Sequence, residues 1–209
     1  MDKKCVHIIQ RPHVSENLCA ITVPLIKAYA ERVGADVNVI GGTRAFPDYP
    51  PTYERMQIFA AGRPYNWNIC VDTDMLLGPT LPDATTRVPR HAFGIIMNYS
   101  ASLSFSVDNR FFGRDGRDIV PVEAFLITSD WTHDLWEPLK GSAVTNMAAV
   151  FNEYQIAEYA LAFNMAKYGL KCVGVFPAGS QIDRVRIEPN DEQSGIDYAQ
   201  AKLREWDSQ

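Results

Sequence analysis

"NICVDTDMLLGP", Asn68 to Pro79, ends an apolar run on two aspartates. Ile69-Cys70-Val71 reads as the last part of a buried strand, and Asp72 and Asp74 follow on alternate residues. Alternate side chains of an extended chain share a face, so the two carboxylates would stand together and repel. Ligands of open α/β sheets gather just beyond the carboxyl ends of the strands. A divalent cation relieves such repulsion, and hard oxygen ligands suit Mg²⁺ or Mn²⁺. An ion of this kind keeps coordination positions for phosphate oxygens. The pair therefore reads as a cation clamp for a diphosphate. The plain alternative is two acids that cap the turn before Gly78-Pro79, because a D-x-D is short enough to occur by chance.

Outward from this stretch, short apolar runs alternate with helical patterns, the mark of an α/β fold with a mainly parallel sheet flanked by helices. Cys5 to Gln10 is the first strand. Ser15 to Val33 is helical, with Ser15 as cap, Gly34 as stop and Pro24 as a kink or restart. Val37 to Ile40 is a second strand, followed by a Pro-rich loop from Gly41 to Pro51. Thr52 to Ala61 reads as a helix and Trp67 to Val71 as the third strand. Phe93 to Met97, Ala124 to Thr128 and Cys172 to Phe176 are further strands, and Asn146 to Tyr168 is a long helix. The expected division is a catalytic domain over 1–187 and a polar tail over 188–209, with a short helix from Ile196 to Trp206.

Composition narrows the function classes. With 209 residues and 46 % hydrophobic residues, the chain can bury one generous core. The net charge of −5 argues against a nucleic-acid partner, because no basic surplus offsets phosphates. The N-terminal apolar run is too short for a signal peptide, and no stretch approaches a membrane span. A cytoplasmic location is the expectation. Cys5, Cys19, Cys70 and Cys172 form no CxxC and read as buried free thiols.

The D-x-D segment resembles that of GT-A fold glycosyltransferases, a Rossmann-like group in which a hydrophobic strand runs into metal-binding acids. Other pieces are similar in the same order: "IKAYAERVGADVNVI" (Ile26 to Ile40), "PTYERMQIF" (Pro51 to Phe59), "EAFLITSDWTHDLW" (Glu123 to Trp136) and "NEYQIAEYAL" (Asn152 to Leu161). The resemblance implies transfer of a sugar from a nucleotide diphosphate sugar, UDP-sugar favoured, to a glycan or other hydroxyl acceptor, with Mn²⁺ or Mg²⁺. It implies that Asp74 binds the metal directly. Asp72 would contact the metal, or hold the ribose and a metal-bound water.

The resemblance also assigns roles elsewhere. Gln10 and Arg11, just after the first strand, would meet the nucleotide, and Arg55 would lie near the donor. Glu153 would be the base that deprotonates the acceptor, or in a retaining enzyme the acid near the anomeric carbon. Asp130, after the Ala124 to Thr128 strand, is the second choice for base. Trp131, His133 and Trp136 are candidates for an acceptor platform, with core packing as the alternative for the two Trp. Two departures stand out. Val122-Glu123-Ala124 replaces the usual Asn-x-Gly, and no histidine follows His133 to serve as a third metal ligand. Asp183 is the nearest acidic substitute; one acid with waters and the diphosphate is the other arrangement.

Three rival readings remain. "GGTRAFP" (Gly41 to Pro47) echoes a sugar nucleotidyltransferase signature but follows the second strand and lacks its middle glycine. "ICVDTDMLL" echoes a haloacid-dehalogenase-type phosphatase motif, with Leu76 where Thr or Val belongs. A non-catalytic carbohydrate-binding domain on the same fold is the third.

Overall fold

The structure is a computed structural model and describes residues 2–96, 124–140, 153–177, 179–185 and 191–208. Six strands form the main sheet: β1 (Lys4–Ile9), β2 (Asp36–Ile40), β3 (Trp67–Asp72), β5 (Ala92–Ile95), β6 (Phe125–Ser129) and β7 (Lys171–Gly174). Their spatial order is β2-β1-β3-β6-β5-β7. The pairs β1–β2, β1–β3 and β5–β7 are parallel, whereas β6 runs antiparallel to both β3 and β5. A separate two-stranded ribbon joins β4 (Met75–Leu77) to β8 (Ile182–Arg184), antiparallel. Neither ribbon strand is legible in the sequence, since each has only three residues.

Every residue of β3 is buried. That explains its unbroken apolar reading, as parallel strands covered on both faces lose the alternation of a half-exposed strand. One layer of the core packs β1, β3 and β6 against helix α1 (Glu16–Arg32) through Val6, Ile8, Ile26, Tyr29, Ile69, Val71, Phe125 and Ile127. The other face packs Ile9, Cys70, Phe93 and Leu126 against Ile156, Ala157, Ala160 and Leu161 of helix α3 (Glu153–Tyr168). The strands' alternation thus feeds two cores.

Helix α1 starts where the sequence indicates. Ser15 Oγ accepts from the Leu18 N–H at 3.2 Å, satisfying an orphan donor of the first turn. The helix is continuous through Pro24, against the expected kink or restart. Tertiary packing of its buried stripe, Leu18, Thr22, Ile26 and Tyr29, outweighs the one lost backbone bond. The expected helix from Thr52 to Ala61 is a 3₁₀ turn (Pro51–Gln57) running into a short α2 (Ile58–Ala61). The C-terminal helix α4 (Glu192–Asp207) begins earlier than expected, and its Ala199 and Trp206 share a cluster with Val14, Leu18, Leu76 and Val185. The expected Asn146 start of the long helix and the end of the Phe93 to Met97 strand lie outside the described residues. Cys5 and Cys70 are buried, but Cys19 is half-buried and Cys172 exposed. Among the described residues no helix is long and apolar enough to cross a membrane.

Candidate active site

The carboxyl ends of β1 and β3 lie side by side, because Ile9 is registered with Asp72. The chain then leaves the sheet through Thr73 and Asp74 into β4. Thr73, which the sequence reading passed over, holds this turn from three sides. Its N–H donates to the Ile9 carbonyl at 3.0 Å. Its Oγ1 accepts from the Arg11 N–H at 3.2 Å, and its carbonyl accepts from the Thr22 hydroxyl at 2.6 Å. The Val185 N–H closes the far side on the Asp74 carbonyl at 2.8 Å. A hydroxyl residue between two acids after a strand is the only sequence signal for such a clamp.

The two acids have different partners. Both oxygens of Asp72 are engaged: Arg55 Nη2 lies 3.1 Å from Oδ1 and 3.2 Å from Oδ2, and Arg11 Nη1 lies 3.4 Å from Oδ2. All three side chains are at most 1 % exposed. Arg55 is locked further by its Nε–H donating to the Thr52 carbonyl at 3.1 Å. This is a buried, charge-compensated cluster rather than an open ligand. Removing one member of such a cluster strands a desolvated charge.

Asp74 is equally buried, at 2 % exposed, but is half-satisfied. Its Oδ2 accepts from Arg184 Nε at 2.9 Å, while its Oδ1 has no hydrogen-bond partner among the described residues. Burial pushes its carboxyl above the usual range, and the nearby Asp72 charge adds to the rise; Arg184 and Arg11 oppose it. A buried carboxylate oxygen left without a partner costs about 1–3 kcal/mol. An oxygen-seeking cation is the chemistry that would fill it. Arg184 itself was not singled out in the sequence. It comes from β8, which approaches β4 so closely that a Cβ on Gly78 would sit 2.5 Å from that of Gln181.

The remaining sequence candidates separate by the direction of their strands. Gln10 and Arg11 follow β1 at the same edge as the acids. The Gln10 N–H donates to the Ile40 carbonyl at 2.8 Å, and Gly41 passes so near that its Cβ would meet Gln10 Cβ at 2.4 Å. With φ at 149°, only glycine is comfortable there. Asp183 is turned elsewhere: its Oδ2 accepts from the Tyr198 hydroxyl at 2.6 Å and its Oδ1 from the Arg184 N–H at 2.8 Å. Among the described residues no three His, Cys, Asp or Glu side chains converge as a metal site. The donor set therefore fits a cation on Asp74 alone, with Asp72 and Asp183 committed to protein partners.

Asp130 lies apart from the paired acids. It follows β6, and β6 is antiparallel, with Ser129 registered to Trp67 at the opposite end of β3 from Asp72. At about 3.3 Å per residue, that separation is roughly 17 Å. Its carboxylate instead pairs with Arg90 Nη1 at 2.8 Å and accepts from Asn66 at 3.3 Å. The expected acceptor platform lies at that same edge, in the turn Asp130–Trp136. Trp136 is fully buried, its indole N–H donating to Thr128 at 2.8 Å, and His133 stacks on Phe59. Glu153 opens helix α3, and its side chain lies outside the described residues. Glu123, the first residue of the Glu123 to Trp136 segment, and Val122 before it lie outside them as well.

"GGTRAFP" is structural in its described contacts. Buried Glu54 accepts from the Ala45 and Phe46 N–H groups at 2.9 and 3.1 Å and pairs with Arg44 at 3.4 Å. It pins this loop against the 3₁₀ turn that carries Arg55.

No protein-family model and no curated protein matches the chain. Solved structures do. A crystal structure of a glycosyltransferase involved in the glycosylation of the major capsid of PBCV-1 matches with a TM-score of 0.60 at 7 % identity, over 94 % of this chain and 99 % of that one. The chain has a GT-A-like fold. A Drosophila β1,4-galactosyltransferase 7 mutant, in complex with manganese, UDP-Gal and xylobiose, matches with a TM-score of 0.48 at 11 % identity, over 93 % and 79 % of the two chains. In this GT-A-like sheet the paired acids close β3, the strand beside β1, at the carboxyl edge where ligands of α/β sheets gather.

Proposed function

We propose that the protein is a glycosyltransferase that moves a sugar from a nucleotide diphosphate sugar, UDP-sugar favoured, to a carbohydrate or other hydroxyl acceptor. The observation that carries this reading is the buried, half-satisfied Asp74 at the carboxyl edge of a GT-A-like sheet. The fold shared with a PBCV-1 glycosyltransferase supports it.

In this reading Asp74 holds a divalent cation, Mn²⁺ or Mg²⁺. When bound, that ion supplies Lewis-acid stabilisation of the charge gathering on the leaving diphosphate. Asp72 acts through the protein: it fixes the guanidiniums of Arg55 and Arg11 beneath the edge, and exposed Gln10 faces the nucleotide. Glu153 is the base. Its helix supports that role by topology. The C-terminal half of α3 lies against Leu135 and Glu137, where Asn164 donates to both carbonyls. Its last turn leads directly into β7, which runs parallel to β5. A 16-residue helix is about 24 Å long, so its first turn lies back toward the carboxyl edge, opposite to Asp130.

Asp74→Ala should abolish metal-supported donor binding and lower the transfer rate about 10²–10³-fold. Calorimetry with UDP and Mn²⁺ on both proteins checks this; equal, metal-independent affinities would sink the reading. UDP binding without nucleotide release on addition of acceptors would leave a binding domain. Pyrophosphate release from a nucleoside triphosphate would favour a nucleotidyltransferase.

A further inference from the structure

The three arginines around the two acids are not equivalent. Arg55 and Arg11 are sealed in the interior with Asp72, at 0 % and 1 % side-chain exposure. Arg184 is 39 % exposed while the carboxylate it reaches is only 2 % exposed. It holds Asp74 by its Nε at 2.9 Å, and leaves the other carboxylate oxygen without a partner among the described residues. Its backbone belongs to the three-residue strand β8 at the molecule's periphery, and the Val185 N–H anchors that strand to Asp74's carbonyl independently of the side chain. The guanidinium can therefore leave the carboxylate while the backbone stays in place.

A guanidinium and a divalent cation seek the same thing from Asp74. We propose that Arg184 is a displaceable counter-ion of Asp74: it competes with the cation for the carboxylate, and once displaced it binds the donor's diphosphate. This rests on the functional reading above. The sealed arginines cannot play this part, because removing either from Asp72 would strand a buried charge. Arg184 is 39 % exposed, so leaving Asp74 does not strand its guanidinium in the interior. An arginine released beside a cation needs an anion, and a diphosphate accepts from its planar fork. Cation and nucleotide then bind cooperatively: each removes an obstacle to the other.

The test is Mn²⁺ uptake by the full chain, followed by the electron paramagnetic resonance of free Mn²⁺, with UDP binding by calorimetry. In Arg184→Met, Mn²⁺ alone should bind about tenfold more tightly, and UDP at saturating Mn²⁺ about tenfold more weakly. Arg184→Lys keeps the charge but loses the Nε contact and should shift both in the same directions by less; it carries the test if the Met variant does not fold. Unchanged or weaker Mn²⁺ uptake overturns the competition. Unchanged UDP affinity overturns the diphosphate contact. Wild-type protein that binds neither Mn²⁺ nor UDP overturns the functional reading with it. Wild-type binding of both, indifferent to Arg184, overturns this inference alone.

Discussion

Asp72 and Asp74 differ by two positions and by almost nothing in burial, yet they belong to different kinds of site. Asp72 ends β3 and is closed in by two interior arginines, so its charge is spent on the protein. Asp74 begins the exit into β4 and leans on one partly exposed arginine, with one oxygen unpartnered among the described residues. Like residues in a short motif thus divide into one enclosed by interior arginines and one with a carboxylate oxygen that has no partner among the described residues. Partner exposure, rather than the acid's own burial, separates the two.

The contrast can be broken most directly at Asp72. Asp72→Ala leaves Arg55 without its carboxylate in a dry interior and should destabilise the fold by about 3–5 kcal/mol, roughly 10 °C in Tm for a chain of this size. Asp74→Ala removes a pair with a half-exposed partner and should change stability by at most about 1 kcal/mol. Thermal melts of the two variants decide; equal losses would erase the distinction.

Acid probes the strand beneath the cluster. His7 on β1 is buried, which lowers its pKa from 6.5 to about 4, against the opposing hydrogen bond that its ring donates to Asn68 Oδ1. The unfolded chain then takes up the proton first, so stability falls as pH drops from 6.5 to 4, by up to about 3 kcal/mol. Denaturant midpoints across that range should slope accordingly, and His7→Gln should flatten the slope. A slope unaffected by the substitution would assign the acid loss to other groups.

Smaller effects sharpen the comparison. Thr22→Val keeps the shape but withdraws the donor from the Thr73 carbonyl, and should cost about 1–2 kcal/mol while loosening both acids together. Urea titration reads the first; weaker UDP·Mn²⁺ binding reads the second. Asp130→Asn, at the far edge, should change stability by no more than about 1 kcal/mol and leave UDP affinity as it is. A fall in that affinity would bring Asp130 back to the site.

Strand ends and turns follow from local chemistry, whereas strand direction does not. Asp130 reads as a second choice for base because it follows the Ala124 to Thr128 run. Nothing in Phe125 to Ser129 says which way the strand points, because an antiparallel strand in the middle of a covered sheet is buried on both faces like its parallel neighbours. Asp183 was named for its charge, yet hydrogen bonds from Tyr198 and its own backbone neighbour turn it from Asp74. Arg184 beside it drew no notice, because the β4–β8 pairing that delivers it spans more than a hundred residues of chain.

What the amino-acid order determined alone is the alternation of apolar runs with capped helical stripes, the position of the paired acids at a strand's end, and Ser15 as the start of α1. These rest on periodicity, capping and charge, which act over a few residues. Only the tertiary structure decided that β6 runs backwards, that Asp72 is sealed by Arg11 and Arg55, and that Asp74 has an oxygen without a partner among the described residues. Those follow from which distant segments meet in the interior, where the desolvation of each charge depends on partners that local sequence does not specify.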